Sequence, residues 1–152
     1  MTIPKLNFFE TMIMAKNGNA DAQFILGLMY NEGKGVPQDY TKAVQWFQAA
    51  ADQGIAKAQH NLGVMYVTGT GVPQDYTEAE QWLRRAAKQG NAYAQLTLGQ
   101  MYENGVGVAQ SDAEAERWYR RAANQGNTDA LAMLAEMDAP DASSPYVVVL
   151  AP

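Results

Sequence analysis

Apolar positions along the chain recur on two superposed periods. Between residues 20 and 32, Ala22, Leu26, Met29 and Tyr30 fall at the i, i+4, i+7, i+8 spacing that lines one face of an α-helix. A second helical segment follows from 40 to 53. Between them Gly33-Lys34-Gly35-Val36-Pro37 punctuates, because glycine admits positive φ and proline lacks the amide that would continue a helix. This pair of segments then returns every 36 residues: Ala22 as Ala58, Ala94 and Ala130, Leu26 as Leu62, Leu98 and Leu134, Met29 as Met65, Met101 and Met137. Gly27 returns as Gly63 and Gly99, Tyr30 as Tyr66 and Tyr102, and Trp46 as Trp82 and Trp118. The pairs Ala50-Ala51, Ala86-Ala87 and Ala122-Ala123 keep the same register. The chain therefore divides into an N-terminal capping half-repeat at 1–17, whole repeats at 18–53, 54–89 and 90–125, a partial repeat at 126–138 and a C-terminal tail at 139–152.

The ends of the segments carry their own chemistry. Asp39, Asp75 and Ser111 stand where the second helix of each unit wants an N-cap acceptor, and Glu78 and Glu114 three residues on predict a capping box. Lys42 takes that place in the first unit, leaving half a box. Gly54, Gly90 and Gly126 suit the left-handed residue that closes a helix. Glu80 with Arg84 and Glu116 with Arg120 are spaced for i,i+4 ion pairs. A lone hairpin cannot bury its apolar stripe, so the units must stack. Gly27 and the alanine pairs are expected to let helix backbones approach, with Trp46, Trp82 and Trp118 filling the gaps.

The pattern Ala22-x3-Leu26-Gly27-x2-Tyr30-x2-Gly33-x-Gly35-Val36-x2-Asp39-x3-Ala43-x2-Trp46-x3-Ala50-Ala51-x2-Gly54, written three times, resembles the Sel1-like repeat, a relative of the tetratricopeptide repeat. Ala109 departs from it where Pro37 and Pro73 stand, and Ser111 replaces the aspartate. The fourth unit has Ala135 for the glycine and Asp138 for the tyrosine. The resemblance implies an all-α, right-handed α/α superhelix, a solenoid of helical hairpins, as found in short bacterial proteins. It further implies a non-enzymatic protein-protein interaction adaptor or scaffold that binds a partner protein or peptide in its concave groove. The alternative that some relatives suggest is a bacterial immunity or inhibitor protein that neutralises a toxin or secreted enzyme.

Composition narrows the chemistry. The chain has no cysteine, which excludes thiolate metal sites and thiol nucleophiles and separates it from the disulfide-bridged branch of the resembled family. His60 is its one histidine, so no histidine-rich metal site or histidine triad can be built, and neither cofactor, metal nor catalytic residue is expected. Gly33-x-Gly35 lacks the Lys-Ser/Thr of a phosphate loop and reads as a turn. A net charge of −5 argues against nucleic acid and anionic membranes as partners, and no apolar run spans a bilayer. The N-terminus has no uninterrupted apolar h-region, so a cytoplasmic location is expected, or a periplasmic one if a signal was removed.

Positions that differ between units are free of what the scaffold demands. On the first helix they form a stripe opposite the recurring one, and in a right-handed solenoid it would face the groove. The candidate partner-binding residues are Lys57, His60, Asn61, Val64 and Val67 in the second unit, and Tyr93, Leu96, Thr97, Gln100 and Glu103 in the third. In the first unit Asp21, Phe24, Ile25, Leu28 and Asn31 occupy the stripe. There Phe24, Ile25 and Leu28 either join the groove or pack against an N-terminal stripe of Leu6, Phe9 and Ile13. His60 matches Phe24 and Leu96, which favours groove or packing over a general base. Arg84, Arg85, Arg117, Arg120 and Arg121, interleaved with acids, read as a solvated, salt-bridged convex face. The tail run Tyr146-Val147-Val148-Val149-Leu150 either folds over the open end of the stack or mediates self-association by docking on a second molecule.

Overall fold

A computed structural model describes residues 7–139; Leu6 and the run 146–150, with the expectations attached to them, lie outside the described residues. Among the described residues there are eight helices and no strand. They are α1 (Phe8–Lys16), α2 (Ala20–Glu32), α3 (Tyr40–Asp52), α4 (Ala56–Thr68), α5 (Tyr76–Lys88), α6 (Ala92–Asn104), α7 (Asp112–Ala123) and α8 (Thr128–Asp138). The hairpins are α2–α3, α4–α5 and α6–α7, and each packs on the next through α3–α4, α5–α6 and α7–α8. Each helix rests chiefly on its chain neighbours, which is the quasi-one-dimensional organisation of a solenoid. None of these helices is long and apolar enough to cross a membrane.

Asp39, Asp75 and Ser111 do cap α3, α5 and α7, accepting from the amides of Lys42, Glu78 and Glu114. The expected reciprocal half of the capping box is not made. The cap amides of Asp75 and Ser111 donate instead to the carbonyls of Tyr66 and Tyr102, at 3.0 and 2.9 Å, tying the start of the second helix to the end of the first. Asp39 does the same with Tyr30. The complete box belongs to Asn7 and Glu10 at α1. On the first helices, Asn19, Asn91 and Asn127 supply caps that identity between units conceals, because Ile55 stands in the second unit and caps nothing.

The glycines at 27, 63 and 99 admit side chains more than backbones. A Cβ at Gly27 would sit 2.6 Å from the ring of Phe47, and one at Gly63 2.6 Å from Leu83 Cγ. Tyr119 lies closer still against Gly99. Phe47, Leu83 and Tyr119 are fully buried and pair each first helix with its second. Of the tryptophans, Trp82 and Trp118 are buried while Trp46 is half-buried. Arg85 and Arg121 lie over Trp82 and Trp118, 4.5 and 4.7 Å from the ring centres, so the outer indole faces are covered by cations rather than by a further helix.

The face of α1 also differs from the expectation. Phe9 and Ile13 are exposed, and Phe8, Thr11, Met12 and Ala15 meet the core instead. The reason is register: α1 is the second helix of a degenerate unit, in which Thr11 and Ala15 stand 36 residues before Phe47 and Ala51. Accordingly Phe24 packs on Phe47, with ring centres 5.9 Å apart, rather than on Phe9 or Ile13.

Between units runs a ladder of glutamines. Gln23, Gln59 and Gln95 are buried, and each side-chain amide donates to a carbonyl of the preceding helix, at Ala15, Ala51 and Ala87 respectively. Each accepts in turn from Gln53, Gln89 or Gln125, at 2.7–2.8 Å. Gln53 and Gln89 also donate to the carbonyls of Gly18 and Gly54. An unpartnered buried amide is costly, so this network fixes how one hairpin seats on the next.

Candidate functional site

The variable stripe is carried by α2, α4 and α6, whose recurring faces are consumed by the core. What remains forms adjoining cavities. One of about 470 Å³ lies between α2 and α4, lined by Asp21, Phe24, Ile25, Ile55 and Lys57 among others. Phe24 and Lys57 also line the next, of about 360 Å³, with His60, Asn61, Asn91 and Tyr93. A third, of about 150 Å³, continues past His60 and Asn61 to Asn31 and Val64. Shared walls make this a continuous surface across three units.

Its centre is aromatic and amide in character. Tyr93 is 64% exposed, and its ring lies 6.1 Å from that of His60. His60 Nδ1 lies 3.3 Å from Asn61 Oδ1. Burial holds the imidazole below its usual pKa of 6.5, partly offset by Asn61, so it is neutral near pH 7 and Lys57 is the cation at the centre. Asn91 lines the same cavity while capping α6, with its amide oxygen accepting from Ala94 at 2.9 Å.

The structure thus gathers Lys57, His60, Asn61, Val64 and Tyr93 around these cavities. Others on the stripe are spent elsewhere. Leu96 is 9% exposed and packs in the core with Ala115, Tyr119 and Ala130, and Val67 packs against the cluster around Leu98. Glu103 accepts from the Tyr119 hydroxyl at 2.7 Å; burial and that carboxylate push the phenol pKa up. Thr97 bonds back to the Tyr93 carbonyl, while Gln100 is exposed but lines none of these three cavities. Asn31 lies on the variable stripe of the first unit, whereas Asn91 lies outside it, and its place at the start of α6 signals a cap rather than a cavity wall. Among the described residues no group of three His, Asp or Glu side chains could hold a metal.

The comparisons with known proteins agree with this architecture. The Sel1 repeat model matches residues 20–55, 56–91 and 92–127. A protective antigen present in uropathogenic Escherichia coli strains, displaying an SLR fold, is 43% identical over 85% of this chain with a TM-score of 0.83; the chain spans 28% of that protein's length. A Sel1 repeat protein of Oxalobacter formigenes is 40% identical, with 84% of this chain and 96% of that one covered and a TM-score of 0.76. Cysteine-rich protein B of Helicobacter pylori shares the fold at 20% identity, TM-score 0.66, over 81% of this chain and 93% of its own. No curated protein matches the chain. With three matched repeats covering most of its length, the chain belongs to the Sel1 repeat family, whose members are generally protein-interaction scaffolds and typically not enzymes.

Proposed function

We propose that this protein is a non-enzymatic scaffold that takes a segment of a partner protein, or an extended peptide, along the surface of α2, α4 and α6. The observation that carries the reading is Tyr93. A large aromatic side chain left 64% exposed beside the half-buried His60, over a cavity of about 360 Å³, is the kind of anchor on which interfaces concentrate their energy. The scaffold makes no demand for it, since the equivalent positions are Asp21 and Lys57. The surrounding mixture of Phe24, Lys57, Asn61 and Asn91 offers apolar contact, one cation and amides that can bond a peptide backbone.

Affinity capture from the native organism, followed by titration of the captured partner against purified protein, tests this. Tyr93→Ala with Lys57→Ala should weaken binding by about tenfold or more while leaving the melting curve in place, because both side chains are exposed. A partner whose affinity is untouched by this pair would place the interaction elsewhere.

A further inference from the structure

A separate cavity, of about 340 Å³, lies between α5 and α7 and shares no residue with the surface just described. Its walls are Arg84, Lys88, Glu114, Arg117, Trp118 and Arg121: four cations against one carboxylate, on a chain whose net charge is −5. Two of the cations are committed. Arg84 donates to Glu80 at 2.6 Å and to the Tyr102 hydroxyl, and Arg117 donates to Glu114 at 2.7 Å. Lys88 and Arg121 have no carboxylate or hydrogen-bond partner among the described residues, so they are free to take an outside anion. Trp118 organises the site. It is 4% exposed, and the guanidiniums of Arg121 and Arg84 stand 4.7 and 5.9 Å from its ring, which limits the entropy they lose when an anion arrives. Its indole N–H is buried without a hydrogen-bond partner.

The repeat itself shows that the three arginines are not needed to form the hollow. The same cavity, about 370 Å³, occurs two units earlier around Trp46, where Met12, Gln45 and Ala49 stand at the positions of Arg84, Arg117 and Arg121, Lys16 matches Lys88, and Lys42 replaces Glu114. The scaffold therefore supplies the hollow, and the second and third units together line this later copy with three guanidinium groups.

We infer that the α5–α7 cavity binds carboxylates of an acidic segment in a partner protein. Arginine forks match carboxylates in geometry, and Lys88 adds a point charge. An acidic peptide fits better than nucleic acid for two reasons. The cationic region is a compact hollow and not a stripe that could follow a phosphate backbone, and Glu114 in its wall and Glu80, paired with the lining Arg84, would meet successive phosphates.

The test uses fluorescently labelled hexaglutamate at low ionic strength, read by anisotropy, with hexaglutamine and a short single-stranded oligonucleotide as comparisons. Lys88→Gln with Arg121→Gln, both exposed, should weaken hexaglutamate binding about tenfold or more. The control, Lys34→Gln with Arg85→Gln, removes the same charge outside the cavity and should change it less than about twofold. Melting curves of the two doubles should overlay each other, since each removes one arginine from a tryptophan face. Absence of hexaglutamate binding, equal losses in the two doubles, or tighter binding of the oligonucleotide than of hexaglutamate would each overturn the assignment.

Discussion

Replacing Gly27 by alanine puts two opposing effects in one position. Gly27 lies inside α2 with no positive φ, so by helix propensity alone alanine should stabilise by about 1 kcal/mol. Packing opposes it. The new Cβ would stand 2.6 Å from two ring carbons of Phe47 and 3.1 Å from a third, whereas carbon contacts settle near 3.5–4.0 Å, so the ring must retreat by roughly 1 Å. Phe47 is 1% exposed, rigid and flanked by Phe24, which leaves it nowhere cheap to go. Overpacking of this kind costs about 1–3 kcal/mol, so the expected net loss is about 1 kcal/mol, or roughly 2–4 °C in Tm for a chain of this length. Urea unfolding followed by circular dichroism, with Tm from a parallel thermal scan, measures it. The decisive comparison is the same substitution in a Phe47→Ala background. Without the ring the clash disappears, and Gly27→Ala should become neutral or stabilising. If Gly27→Ala stabilises the parent protein, or destabilises both backgrounds alike, the Phe47 contact is not what reserves the position for glycine.

Two further predictions concern polar groups in the stack. Gln59→Leu keeps a buried side chain of similar size but removes one partner each from the Ala51 carbonyl, which keeps the Gly54 amide, and from the Gln89 amide, which keeps the Gly54 carbonyl, so stability should fall by about 1 kcal/mol; an unchanged urea midpoint would show that the glutamine ladder does not couple the hairpins. His60 titrates lower in the folded than in the unfolded chain because burial disfavours the imidazolium. Above pH 6.5 both states are neutral at this site; below it the unfolded chain takes up the proton first, so stability is lost as pH falls. His60→Phe, which copies Phe24 of the first unit, should lessen that loss between about pH 7 and pH 5, and identical pH profiles for the two proteins would refute it.

Much of this architecture follows from one sequence, because a repeated protein states its rules three times. The 36-residue period locates the hairpins, the caps Asp39, Asp75 and Ser111, the closing glycines and the buried alanines, since each is a local requirement of helix geometry. Comparison between units by identity has a blind side, however. Phe47, Leu83 and Tyr119 fill one structural position with three residue types, and a search for sameness passes over them although they are the largest side chains against the glycines. The same habit set the face of α1 by its most apolar stripe, whereas register with Phe47 and Ala51 buries Thr11 and Ala15 and leaves Phe9 and Ile13 in water.

The candidate surface divides along a similar line. Sequence alone determined which helix face is released from the core, because the recurring stripe and the variable stripe are fixed by a 3.6-residue turn, and Lys57, His60, Asn61 and Tyr93 were legible on it. Tertiary structure decided which of those side chains remain available. Leu96 is drawn into the core beside Tyr119, and Glu103 is held by that residue's hydroxyl, through contacts between residues 16 or more positions apart that no local period encodes. It also decided that Lys88 and Arg121, on separate units, share one hollow with Trp118, because the depth of that hollow is set by how one hairpin seats on the next.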